Sequence, residues 1–152
     1  MHKRLKRLIR LVSGRTRVVR IRRRRVGAFA KSKKTYLAHK ETARTLVMER
    51  LAHFNKHYGL TWGTVSIRDQ RTRWGSCSKR GNLNFNYRLA LLPLPLADYV
   101  IVHELCHRGE FSHSKAFWNL VAQTIPDHAQ KRKAIHAYAK AHFSRTAMLE
   151  VS

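Results

Sequence analysis

Residues 96–108 read LADYVIVHELCHR, and the layout of the rest of the chain follows from them. Its apolar residues run nearly all round a helical projection, the pattern of a helix enclosed on every side rather than one lying on a surface. Two histidines and a glutamate nevertheless stand in its middle, as His103-Glu104-Leu105-Cys106-His107. Without partners in a buried helix, each would cost roughly several kcal/mol of desolvation. Residues i and i+4 share one helix face about 6 Å apart along the axis, so the imidazoles of His103 and His107 can converge on one ion with Zn–N bonds of roughly 2.0–2.1 Å. Glu104, next to His103, projects close enough to reach a metal-bound water without ligating the metal, which is what a general base requires. The spacing is the HExxH pattern, and it points to a zinc site built for hydrolysis.

A catalytic zinc usually takes three protein ligands and keeps one position open. His113, six residues after His107, is the leading third ligand, and Gly109 between them can adopt the left-handed conformation that ends a helix and returns the chain to the ion. Glu110, Asp127 and His128 are the competitors. Glu110 points away if the helix continues, and the other two need a longer spacing.

The chain before this helix reads as strands and turns. Residues 82–89, NLNFNYRL, alternate strictly, with Leu83, Phe85 and Tyr87 on one face and Asn82, Asn84 and Asn86 on the other, as in a half-buried strand. Lys79-Arg80-Gly81-Asn82 reads as the turn before it. Residues 64–69, TVSIRD, form another strand, and in RTRWGSCS Gly75 and the serines suggest a turn. Trp74 and Tyr99 read as core, and Phe117 and Trp118 as core packing behind the metal. Leu37, Ala43, Leu46, Val47, Leu51 and Phe54 mark one face of a helix of roughly twenty residues that Tyr58-Gly59 ends. Beyond the central helix, helices are expected over 114–122 and 128–142. The class is α+β: a small sheet packed on an active-site helix that carries HExxH, with further helices after it.

Composition adds a second theme. Thirty-two Lys and Arg against eight acids give a net charge of +24 over 152 residues. Residues 1–34 hold fifteen of those basic residues and no acid. The expected organisation is therefore a basic arm, 1–34, and a folded domain, 35–152. Such an arm implies a polyanionic partner, and non-specific nucleic acid is the candidate. No run reaches the length of a membrane span and no secretory signal is visible, so a cytoplasmic location is expected. Two cysteines, Cys77 and Cys106, are too few for a disulfide scaffold.

Residues 73–118, RWGSCSKRGNLNFNYRLALLPLPLADYVIVHELCHRGEFSHSKAFW, resemble the YgjP-like zinc metallopeptidase family, in which RWGSC, a following strand and HELxHxxxxxHSxxFW recur together. The resemblance runs from about Tyr36 to Ile125, with a more distant likeness to SprT-like proteases that act on DNA-bound proteins. It implies a minimal zincin fold, His103, His107 and His113 as zinc ligands, and Glu104 as the catalytic acid. It also implies that an edge strand beside the active-site helix, expected at Asn82–Asn86, pairs with an extended peptide substrate. Arg73 would brace the site or stabilise a tetrahedral oxyanion. The family usually carries a longer β-rich region ahead of its first helix, where this chain has the basic arm.

Two other functions compete. Bacterial rRNA-maturation endoribonucleases have a similar three-histidine register, HGxLHxxGxDH, which a strongly basic chain makes attractive. There the first His is followed by Gly, where this chain has Glu104, and the third is preceded by Asp, where this chain has Ser112. The other alternative is a nucleic-acid-binding protein with a structural zinc, against which Glu104 argues. Peptide-bond hydrolysis with a peptide or protein substrate is the favoured expectation.

Overall fold

The computed structural model describes residues 33–142. The basic arm therefore lies almost wholly outside the described residues. Helix α1 (Lys33–Tyr58) leads into strand β1 (Val65–Arg68), β2 (Gly75–Cys77) and β3 (Leu83–Asn86), and a 3-10 turn over Tyr87–Leu91 precedes α2 (Leu94–Cys106). Two further helices, α3 (Lys115–Ala122) and α4 (His128–His142), complete an α+β domain.

Helix α2 is the centre. Leu96, Ala97 and every residue from Tyr99 to Cys106 are buried, and each large apolar side chain among them stabilises the fold by roughly 1.5–3 kcal/mol. Pro95 sits in the first turn, where no helical N–H is needed. On one flank α2 meets α1, whose Ala43, Val47, Leu51 and Phe54 are buried. Arg50 of α1 fixes that crossing with a two-pronged bond to Asp98, at 2.6 and 2.9 Å. The sheet and the later helices pack on α2 elsewhere, β2 and β3 from one side, α3 and α4 from another.

The sheet differs from the alternation read in the sequence. Its order is β1-β3-β2, with β1 parallel and β2 antiparallel to β3. The strand at Leu83–Asn86 is therefore central, with both edges already paired, and it cannot add a peptide strand. The edge strand against α2 is β2, at Gly75–Cys77, where a turn was expected. Pairing with β3 holds this short segment extended: Asn86 N donates to Trp74 O (2.8 Å) and Ser78 N to Asn82 O (2.9 Å). Alternation in an antiparallel ladder then turns the backbone groups of Cys77 outward. Asn86, fully buried, anchors the preceding loop by donating to the carbonyls of Gln70 (2.8 Å) and Arg73 (3.0 Å). Gly81 has a φ of +85°, which only glycine adopts readily, and it closes the turn into β3.

Candidate metal centre

Helix α2 ends at Cys106, and His107 caps it with φ −63° and ψ −11°, still near-helical values. The i, i+4 geometry of His103 and His107 therefore survives the helix end, and their Nε2 atoms lie 3.2 Å apart. His113 returns on the following loop with its Nε2 3.0 Å from His103 Nε2. All three possible ligand atoms lie within 4.8 Å of one another. His103 and His107 are buried and His113 is exposed.

The loop makes this return without the left-handed glycine expected at Gly109. Among the described glycines only Gly59 and Gly81 have positive φ. The chain leaves α2 through tight turns, with Arg108 N on Leu105 O and Gly109 N on Cys106 O, both at 2.9 Å. Close approach is what glycine provides at 109: a Cβ there would lie 2.9 Å from Leu120 Cδ2, which would have to shift. Ser114 then caps α3, its side chain accepting from Phe117 N at 3.3 Å.

The other candidate donors are engaged elsewhere. Glu110 accepts from the Ser112 amide (3.1 Å) and hydroxyl (2.7 Å), and these bonds hold its carboxyl below the usual range. Its own carbonyl faces His107 Nδ1 at 3.2 Å. A proton on Nδ1 for that bond leaves the Nε2 lone pair of His107 directed at the cluster. Asp127 pairs with Lys131 at 3.1 Å, and His128 stacks on Trp118 with ring centres 5.1 Å apart.

Glu104 is fully buried, between α2 and β2. A Cβ on Gly75 would lie 2.7 Å from Glu104 Oε1 and 2.6 Å from its Cγ, so only glycine at that point of β2 admits the carboxylate. Its charge reaches Cys77, whose thiol is pushed up by burial first and then by Glu104. Below the histidines lies Phe117, fully buried, stacked on His107 at 4.5 Å and edge-on to His103 at 4.8 Å. Trp118 departs from the core reading. It is only half-buried and stands as a wall, with His113 on its ring at 5.6 Å and His128 at 5.1 Å. Trp74 and Tyr99 are core, at 1% and 0% exposure. Burial raises the Tyr99 phenol to about 12, with the charge of Arg132 pulling against it. Arg73 is exposed, and its carbonyl, not its guanidinium, is what the Asn86 side chain holds.

The donor set fits a metal ion. Three imidazole nitrogens this close repel through their lone pairs unless protons or a cation lie among them. Around a tetrahedral ion with bonds of roughly 2.0–2.1 Å, neighbouring nitrogens sit roughly 3.3 Å apart, close to the 3.0 and 3.2 Å found here. A cation also offsets the cost of the buried Glu104 carboxylate beside it.

A central helix with a donor cluster at its end, a three-stranded sheet on one side and helices on the other define a metallopeptidase of minimal zincin type. The YgjP-like metallopeptidase domain matches residues 8–138, and the chain belongs to that family. The matched span begins within the basic segment that precedes α1. The fold is shared with a solved structure, the metallopeptidase zymogen of Pyrococcus abyssi abylysin, with a TM-score of 0.57 and 22% sequence identity, covering 64% of this chain and 99% of that one. At that identity the likeness is one of fold. No curated protein matches the chain. No described helix is long and apolar enough to cross a membrane.

Proposed function

We propose that this metallopeptidase is a zinc enzyme in which His103, His107 and His113 hold the metal and Glu104 is the general base. The observation that carries this reading is the convergence of three imidazole nitrogens within 4.8 Å of one another, one of them on the helix that also carries Glu104 and one on the residue that caps it. When bound, zinc would supply a Lewis acid to the scissile carbonyl. The protein's own part is proton management and alignment. Glu104 takes a proton from the attacking water as its oxygen bonds to the carbonyl carbon, then gives that proton to the amine nitrogen as the C–N bond breaks. The products are a carboxylate and an amine. The outward backbone groups of Cys77 on β2 suit pairing with an extended peptide, which gives affinity with little regard to side chains.

The decisive experiment measures metal content together with peptidase and ribonuclease activity, on wild type and Glu104→Gln. The expected outcome is about one zinc per chain in both proteins, with hydrolysis falling by roughly 10²–10⁴-fold in the variant. Loss of zinc along with activity would make Glu104 a ligand. Ribonuclease activity that survives the substitution would move the site to the endoribonuclease reading.

The proposed organisation keeps residues 1–34 as a basic arm ahead of the domain at 35–152, and the arm's fifteen Lys and Arg act as a nucleic-acid tether. Counterion release makes such binding steeply salt-dependent and indifferent to base sequence. Removing residues 1–34 is expected to abolish most binding to generic DNA and RNA at low salt while leaving zinc content unchanged. Equal affinity with and without the arm would overturn it. Both cysteines are free thiols, which suits a reducing, cytoplasmic setting.

A further inference from the structure

The half-buried face of Trp118 opens a second question. A groove of about 450 Å³ lies beside it, lined by Trp118, His128, Ala129, Arg132, Lys133 and His136. Trp118 is the wall it shares with the metal centre, since the same ring stacks on His113 at 5.6 Å and contacts His103 at 5.7 Å. The Arg132 guanidinium lies over that ring, 5.5 Å from its centre. No acid lines the groove. The nearest acid in sequence, Asp127, is taken by Lys131 at 3.1 Å, and among the described residues Arg132 and Lys133 have no carboxylate partner. An apolar wall with uncompensated cations around it, one indole away from the reacting centre, is built for an anion that arrives with the substrate.

We infer that this groove is a specificity subsite for an acidic side chain, Asp or Glu, of the peptide being cleaved. The inference rests on the peptidase reading above and deepens it. An extended peptide held near β2 and the histidines places one of its side chains on the far side of Trp118. There the methylenes of a glutamate pack against Ala129 and the indole edge left beside the stacked His128, and its carboxylate meets Arg132 and Lys133. A charge-assisted contact of that kind discriminates Glu from its uncharged isostere Gln by on the order of tenfold. A peptide's terminal carboxylate offers the same chemistry. It is the lesser fit, because it comes without a stem to fill the apolar part of the groove.

The test uses zinc-loaded full-length protein and a fluorogenic peptide series in which one position at a time, on either side of the scissile bond, carries Glu, Gln or Lys, with free and amidated C-termini. Wild type is expected to favour Glu over Gln by about tenfold in kcat/KM at one position. Arg132→Glu, and the Arg132→Glu/Lys133→Glu pair, should invert the order at that position so that Lys exceeds Glu. Both residues are exposed, so the variants keep the folded core. The same ratios are read as equilibrium binding to Glu104→Gln, which needs no turnover. Equal binding and cleavage of Glu, Gln and Lys peptides, or preferences that Arg132→Glu leaves in place, would overturn the subsite. A preference for the free over the amidated C-terminus, with no side-chain effect, would reassign the groove to the terminal carboxylate and overturn it equally. Absence of hydrolysis with every peptide would instead sink the peptidase reading, and the binding ratios would still judge the groove.

Discussion

His107 and His113 bring the same chemical group to the same point by opposite means. His107 is buried at the end of α2, with Phe117 stacked on its ring and the Glu110 carbonyl on its Nδ1. Its place is a consequence of core packing and would hold without a metal. His113 is exposed, on a loop, and what restrains its ring on the outer side is the half-buried Trp118. The centre is therefore preformed on its helical side and finished by a loop. A site of this kind separates stability from metal affinity, because only one kind of donor contributes to both.

The largest expected effect tests that separation directly. His107→Ala and His113→Ala should each weaken zinc binding by more than about 100-fold, since even groups that merely orient a ligand are worth roughly 10–100-fold. In the presence of a chelator the two should part. Removing the buried imidazole leaves a cavity against the Phe117 ring and is expected to cost about 2–4 kcal/mol, a fall in Tm of roughly 5–10 °C for a chain of this size. Removing the exposed one should change chelated stability by less than about 0.5 kcal/mol. Thermal melts of both variants with and without zinc decide it. Equal destabilisation in chelator would mean that the loop histidine is as much a part of the core as the helical one.

A smaller effect is expected from the wall. Trp118→Ala removes the ring that His113 stacks on and should lower zinc affinity by about tenfold, through a wider range of His113 positions rather than a lost ligand. Chelated stability should fall only modestly, because Trp118 is half-exposed. Zinc affinity equal to wild type would show that the loop backbone, not the indole, places His113.

What the sequence made legible follows the same division. The helix and its HExxH donors are local: periodicity, spacing and burial all sit within thirteen residues. His113 was within reach because it lies only six residues further on. The sheet was not legible to the same degree, because the extended form of Gly75–Cys77 comes from pairing with β3 and from the close approach of Glu104, a residue nearly thirty positions away. The alternation over 82–89 marked a half-buried strand, but the strand ends at Asn86, which is fully buried, Tyr87–Leu91 form a 3-10 turn, and the pattern could not say that both strand edges were paired. Trp118 has the composition of a core residue, and only the packing of α3 against α4's first turn reveals it as a partition between two spaces. Gly109 shows the limit most sharply, since glycine signals conformational freedom and close approach alike, and the letter does not say which.

That ambiguity supplies the smallest and most discriminating test of the loop. At Gly109 the backbone does not need the left-handed region, so Gly109→Ala should introduce no dihedral strain. Its cost should come from the 2.9 Å approach of the new methyl to Leu120 Cδ2, an overpacking penalty of about 1 kcal/mol since Leu120 is a half-buried side chain able to shift. Because the displaced loop carries His113 four residues later, zinc affinity should fall by a few-fold in parallel. A double-mutant cycle with Leu120→Ala separates the two explanations. If the contact is responsible, Gly109→Ala costs nothing in the Leu120→Ala background, and melts in chelator show the two substitutions coupled by about the whole of the single-mutant loss. If the loss is unchanged when Leu120 is trimmed, the glycine is there for its backbone after all, and the return of His113 depends on a conformation that only glycine permits.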